Sequence, residues 1–246
     1  MKIGLPAIFS FIVYFYSNIA AAQSRQEDSI LYQASISNTL SIYYGRLGDQ
    51  SPIFNGSHYV TSGNEFKTGS PYFLSGSFTS NSSVIYDGIQ FDSLTLLYED
   101  LRELIVSKNN NYLLQLSNQR IYSFSISGHR FIRLVADSLN TGIPKTGFYE
   151  ILYQGHSLLL KKTLKSIAEE ATINEGVLKH IEVSYQYFIK KGNKYLRVKS
   201  KRELLDILND RQKDIQHFIK KNKLNFRKDK ENTLIQVAGY YDQITN

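Results

Sequence analysis

The chain has 246 residues, a net charge of +7 and no cysteine or tryptophan. Without cysteine there is no disulfide, no thiolate-bound zinc or iron–sulfur cluster, no thiol nucleophile and no cysteine for a lipid anchor. The fold must therefore be held by its core alone, which a chain of roughly 200 residues or more can supply.

The chain opens with Met1-Lys2, an apolar run from Ile3 to Tyr16, and the small residues Ala20-Ala21-Ala22. A positive start, a short apolar stretch and a small-residue site are the three parts of a secretory signal peptide, so residues 1–22 are expected to be removed before Gln23. The run falls short of the ~20 apolar residues a membrane-spanning helix needs. The expected product, residues 23–246, is a single soluble domain, periplasmic or secreted and not lipidated.

Residues from Ser29 to about Arg46 carry Leu31, Ala34, Leu40, Tyr43 and Tyr44 and read as a modest helix stopped by Gly45 and Gly48. Gly48 to Ser83 is rich in Gly, Ser and Asn, as loop with one or two short strands would be. From Val84 to Val198 apolar and β-branched runs alternate with tight-turn dipeptides. Asp87-Gly88 suits a type I′ hairpin with Tyr86 opposite Ile89, and Gly128-His129 and Gly155-His156 suit type II′ turns. The Gly155 turn would set Tyr153 opposite Leu158 and Glu150 opposite Lys161. Gly192-Asn193 would set Ile189 opposite Leu196, and Asn118-Gln119 is a weaker hairpin candidate. Tyr122, Phe124 and Ile126 alternate with Ser123, Ser125 and Ser127, as in a sheet with one buried face. Ile151 to Leu160 is more continuously apolar and is expected mid-sheet.

After Val198 the period becomes helical. Ser200-Lys201-Arg202-Glu203 has the spacing of a capping box. Leu204, Leu208, Ile215, Phe218 and Ile219 form one apolar stripe, and a break near Asn225 precedes a last helix from about Asp229 to Ile244. The expected fold is α+β: an antiparallel meander sheet or partial barrel of about ten strands, with an N-terminal helix and a C-terminal helical region over about 200–246.

No catalytic motif is present. His58, His129, His156, His180 and His217 are dispersed, with no pair at metal-ligand spacing, and no metal or cofactor is expected. His129 and His156 fall in expected turns and His217 on the solvent side of a helix. Asp87, Asp92, Glu99, Asp100 and Glu103 are the carboxylates from which a glycosidase-type pair would have to come, and nothing in their spacing selects two. Serine lacks a nucleophile elbow. The eighteen Tyr and fourteen Phe suit strands as well as they suit a ligand groove.

One feature points to a partner. Residues 190–230 hold fifteen Lys and Arg against five Asp and Glu, which leaves the rest of the mature chain near −4. Within that stretch Lys220, Lys221, Lys223, Arg227, Lys228 and Lys230 surround Phe226, and they are the candidate contacts for an anionic envelope component or acidic protein surface. Export argues against nucleic acid.

The segments Gln50-Ser51-Pro52-Ile53-Phe54-Asn55-Gly56-Ser57-His58-Tyr59, Phe218 through Lys230, and Tyr240-Tyr241-Asp242 resemble a group of uncharacterised exported proteins of the Bacteroidota. The resemblance implies export and a single domain and carries no activity. The expected role is therefore a non-enzymatic envelope protein, binding or structural. The alternatives are a carrier holding an apolar ligand in the sheet's concave face and a hydrolase with dispersed catalytic residues.

Overall fold

Asp87-Gly88 and Ser127-Gly128 both place two consecutive residues at positive φ, the geometry of type I′ hairpin turns, and the sheet is built outward from such links. The computed structural model describes residues 32, 35–61, 65–110 and 112–245. The expected signal peptide, 1–22, lies outside them. The strands are β1 (Ser57–His58), β2 (Phe66–Thr68), β3 (Thr79–Tyr86), β4 (Ile89–Glu99), β5 (Leu104–Asn109), β6 (Tyr112–Gln115), β7 (Ile121–Ile126), β8 (His129–Leu134), β9 (Gly147–Gln154), β10 (Leu158–Thr172), β11 (Gly176–Lys191) and β12 (Lys194–Arg197). Helix α1 is described over residues 35–47. Helices α2 (Lys201–Ile207), α3 (Gln212–Lys221) and α4 (Lys230–Thr245) close the chain.

The class is α+β, with one open, mostly antiparallel sheet of 12 strands rather than about ten. The two extra strands are β1 and β2, both short and both inside the Gly/Ser/Asn-rich segment. The spatial order β1-β6-β5-β4-β3-β7-β8-β9-β10-β11-β12 also differs from a single meander. Strand β3 pairs with both β4 and β7, so the chain meanders one way through β6, returns beside β3, and meanders the other way to β12. Asn118-Gln119 accordingly lies in a 3₁₀ turn on the return path and makes no hairpin. Strand β2 pairs in parallel with β11, the one exception to antiparallel order among these strands.

Registers test the turn readings residue by residue. Tyr86 faces Ile89, Ile189 faces Leu196 and Glu150 faces Lys161, as the turn chemistry predicts. Tyr153 faces Leu159 instead of Leu158, because the Gly155 link is three residues long and a bulge at Leu159/Leu160 restores the phase. The other shifted turn is centred on Ser127-Gly128, which makes His129 the first residue of β8, opposite Ile126. In β7, Phe124 and Ile126 are buried but Tyr122 is 66% exposed; Ile121 takes the inward place beside a bulge in the β3 pairing.

One sheet face carries two cores. Val84, Tyr86, Tyr98, Phe124, Phe131 and Phe148 form an aromatic-rich cluster, in which Phe124 and Phe131 stack at 4.6 Å. Leu159, Tyr187 and Ile189 continue that face and are covered by Leu204, Leu208, Ile215, Ile219, Leu234 and Val237 of the helical region. Leu160, Tyr149 and Phe188 pack on the opposite face with Ile143, so the middle of β9 and β10 is enclosed from both sides. The centre of the sheet is thus covered by side chains on both faces. Asp242, 5% exposed, pins α4 to the sheet by accepting from the Ser157 N–H at 3.0 Å and the Tyr153 hydroxyl at 3.0 Å.

Candidate functional site

The helical corner is ordered by local chemistry. Ser200 caps α2, its hydroxyl accepting from the Glu203 N–H at 3.2 Å. Glu203 reaches back to the Lys199 N–H at 2.8 Å, one residue earlier than in a strict capping box. At its other end α3 closes in a Schellman motif: the Leu224 N–H donates to the Ile219 carbonyl at 3.0 Å and the Lys223 N–H to the Lys220 carbonyl at 3.2 Å. The left-handed residue of that motif is Lys223, φ 53°, where glycine would be more usual. Asn225 then accepts the Arg227 and Lys228 N–H groups on its side chain, both at 3.1 Å. Asp229 starts α4 by accepting from the Asn232 N–H at 3.2 Å.

This frame leaves two connected depressions of about 460 and 650 Å³ that share Lys201, Leu224 and Asn225. Six cations line them (Lys199, Lys201, Arg202, Lys220, Lys223 and Arg227) together with Leu205, Ile219, Leu224 and Phe226. Among the described residues no carboxylate lines them. Among the described residues the only ion pair within 4 Å made by any of the six is Arg202 to Asp206 at 4.0 Å, between two exposed side chains, which weighs little. Like charges gathered along one groove raise the local potential and draw in anions.

Of the six residues singled out by sequence, Lys220, Lys223 and Arg227 line the groove, while Lys221 and Lys228 are exposed beside it. Lys230 behaves differently. Its ammonium lies 5.1 Å from the Tyr187 ring and 5.3 Å from the Phe226 ring and donates to the Lys199 carbonyl at 3.1 Å. Burial, then the charge of Arg197, push its pKa below the usual lysine value. Lys230 therefore ties α4 to the approach of α2 and is not a free surface cation. Lys199, Lys201 and Arg202 were not among the sequence candidates. Their signal was legible as a basic run around the capping serine, but it lies about twenty residues upstream and only the helical fold brings it alongside.

Four of the five carboxylates considered for hydrolysis lie elsewhere and in ion pairs, and the fifth, Asp92, accepts from the Gln90 amide. Asp87 binds Arg120. Glu99, fully buried, takes Arg102 at 2.5 Å and the Tyr59 hydroxyl at 2.6 Å. Asp100 meets Lys165 at 2.7 Å, and Glu103 meets Lys162 at 2.7 Å. Burial, ahead of the opposing pull of Lys165, raises the Asp100 pKa, and burial depresses that of Lys162. His129, expected only as a turn residue, joins the expected Glu150–Lys161 pair: its Nδ1 lies 2.5 Å from Glu150, whose other oxygen is 2.7 Å from Lys161. Lys161 also reaches Glu231 of α4 at 3.2 Å. This chain of charges bridges the two cores. Among the described residues no group of three His, Asp or Glu side chains is placed to hold a metal, and no helix is long and apolar enough to cross a membrane. No family model, no curated protein and no solved structure matches the chain.

Proposed function

We propose that this protein is an exported, non-enzymatic binding module whose helical corner takes an anionic polymer of the cell envelope. The observation that carries the reading is the groove of six cations with no carboxylate, held in place by a Schellman motif and two side-chain caps. An apolar floor under cationic walls suits a chain that alternates phosphate or carboxylate groups with carbon-rich spacers. Export is supported by the leader-like residues 1–22, and it sets an extracytoplasmic polymer ahead of nucleic acid as the partner. A non-enzymatic role is supported by the ion pairing of Asp87, Glu99, Asp100 and Glu103.

The test is a titration with fluorescently labelled inorganic polyphosphate at low salt. Wild-type protein should saturate, and a variant with Lys220, Lys221, Lys223 and Lys228 all changed to Gln should bind at least about tenfold more weakly, as loss of 1.4 kcal/mol or more requires. Equal binding by both proteins would remove the groove from consideration.

A further inference from the structure

Strand β11 is 16 residues long and pairs with β10 in unbroken register from Gly176 to Lys190. Its other edge is covered only towards the two ends. Strand β2 lies beside Lys179 and His180, and Gly69 packs so closely on the next residue that a Cβ there would stand 2.7 Å from the Ile181 Cβ. The chain then leaves the edge, since the carbonyls of Ser70 and Tyr72 both accept from the Lys165 ammonium, each at 2.8 Å. At the far end β12 covers Phe188 to Lys191, and the Val198 N–H donates to the Tyr187 carbonyl at 2.8 Å. Between these flanks no described strand lies beside residues 182–186.

The Tyr187 carbonyl points outward from this edge, and in a strand without a bulge that orientation repeats every second residue. The N–H and C=O groups of Val183 and Tyr185 therefore point outward too, with no backbone partner among the described residues. Edge strands are blunted by proline, lysine, a bulge or shortness, and Glu182-Val183-Ser184-Tyr185-Gln186 has none of these devices. Its side chains alternate as well. Val183 and Tyr185, 44% and 54% exposed, share one face, and Glu182, Ser184 and Gln186 share the other. Glu182 is exposed and makes no ion pair among the described residues.

We infer that this notch binds an extended segment of another polypeptide, added antiparallel beside β11 as a strand of about five residues, ~17 Å long. Val183 and Tyr185 exchange backbone hydrogen bonds with two residues of the segment, whose apolar side chains lie against theirs. The residue opposite Glu182 is lysine or arginine, the charge that an unpaired carboxylate selects. The flanks bar a second copy of this chain. Its β11 carries its own β2 and β12 on the same edge, and antiparallel pairing of the two β11 strands would drive those flanks into each other.

Amide hydrogen exchange followed by NMR, with the peptide acetyl-Thr-Val-Thr-Val-Lys-amide, tests this on the unmodified protein. In the free protein the Val183 and Tyr185 amides should exchange faster than those of Ser184 and Gln186, which face β10. The peptide should bind saturably and slow both amides at least about tenfold. The same peptide methylated on both valine nitrogens loses the two donors and should not bind up to ~10 mM. Glutamate in place of the peptide's lysine should weaken binding at least about twofold, and Glu182→Gln should remove that difference. No saturable binding up to ~10 mM, equal binding of the methylated peptide, indifference to the lysine-to-glutamate change, or Val183 and Tyr185 amides already protected in dilute free protein would overturn the inference. Protection that grows with protein concentration in the absence of peptide would give the edge to a second copy and overturn it as well.

Discussion

Replacing Ile219 by alanine should separate what holds the helical corner from what faces solvent. Ile219 is 3% exposed, packs in the core beneath α2 and α4, and its carbonyl closes the Schellman motif with Leu224. Truncating a buried isoleucine to alanine costs about 2–5 kcal/mol. At about 2–4 °C per kcal/mol for a chain of this size, the melting temperature should fall by roughly 4–20 °C. Phe218 is only half-buried, stacked on Tyr240 at 4.1 Å, so Phe218→Ala should cost less, about 1–3 kcal/mol. Changing Lys220, Lys221, Lys223 and Lys228 together to Gln pulls in two directions. Lys220 and Lys221 lose a favourable interaction with the α3 C-terminus worth about 0.3–1 kcal/mol each, and the cluster loses its self-repulsion. The net change should stay within about 1 kcal/mol. Thermal melts followed by circular dichroism decide it. A lysine variant that unfolds at a lower temperature than Ile219→Ala would refute the assignment of inward and outward faces.

Gly155→Val should destabilise strongly, because a side chain there would meet Asp242 at 2.2 Å and the Tyr153 hydroxyl at 2.8 Å; chemical denaturation should show a larger loss than for His156→Asn at the neighbouring exposed position. Asp242→Ala should lower stability by about 1–3 kcal/mol by leaving the buried Ser157 N–H without an acceptor, again read by denaturant midpoint. Burial, followed by the charge of Glu103, pushes the Tyr149 pKa up to about 12 from its ordinary 10.0. Between those values the unfolded chain has lost a proton that the folded chain keeps, so stability falls as pH rises through that window, and melts of Tyr149→Phe should show a shallower alkaline decline than wild type. His129→Asn should cost little stability, since Glu150 keeps Lys161 at 2.7 Å, and should leave polyphosphate binding unchanged in the same titration.

The parts of the fold that local chemistry dictates were legible. Asp87-Gly88 and Gly192-Asn193 set their hairpin registers, Ser200 announced α2, and the break at Asn225 separated α3 from α4. What escaped was decided by contacts distant in sequence. Nothing in β3 itself says that β7 will return to its free edge, so one meander was expected where there are two. His129 looked like a turn residue because Gly128-His129 and Ser127-Gly128 both make acceptable turns. Serine at positive φ is the less obvious choice, and the Glu150 contact follows only from the β8–β9 pairing. In the basic run, lysine composition alone does not distinguish an outward Lys223 from an inward Lys230. The difference is made by Tyr187, a residue of β11, which offers Lys230 a ring to lie against. The groove was half-read for the same reason: its Lys220 side is the dense charge run, and its Lys199–Arg202 side joins only when α2 packs beside α3.

The salt dependence of polyphosphate binding, compared between two variants that each lose three positive charges, tests the groove most directly. One carries Lys201→Gln, Lys223→Gln and Arg227→Gln within the groove; the other carries Lys108→Gln, Arg130→Gln and Lys179→Gln on the sheet. Binding to a polyanion releases counterions in proportion to the cations engaged, so the slope of log affinity against log salt counts them, at about 0.7–0.9 per contact. The groove variant should show weaker binding and a slope shallower by about 2–3, while the sheet variant keeps the wild-type slope. Equal loss of affinity and slope in both variants would mean that net charge alone attracts the polymer, and would contradict a site at the helical corner.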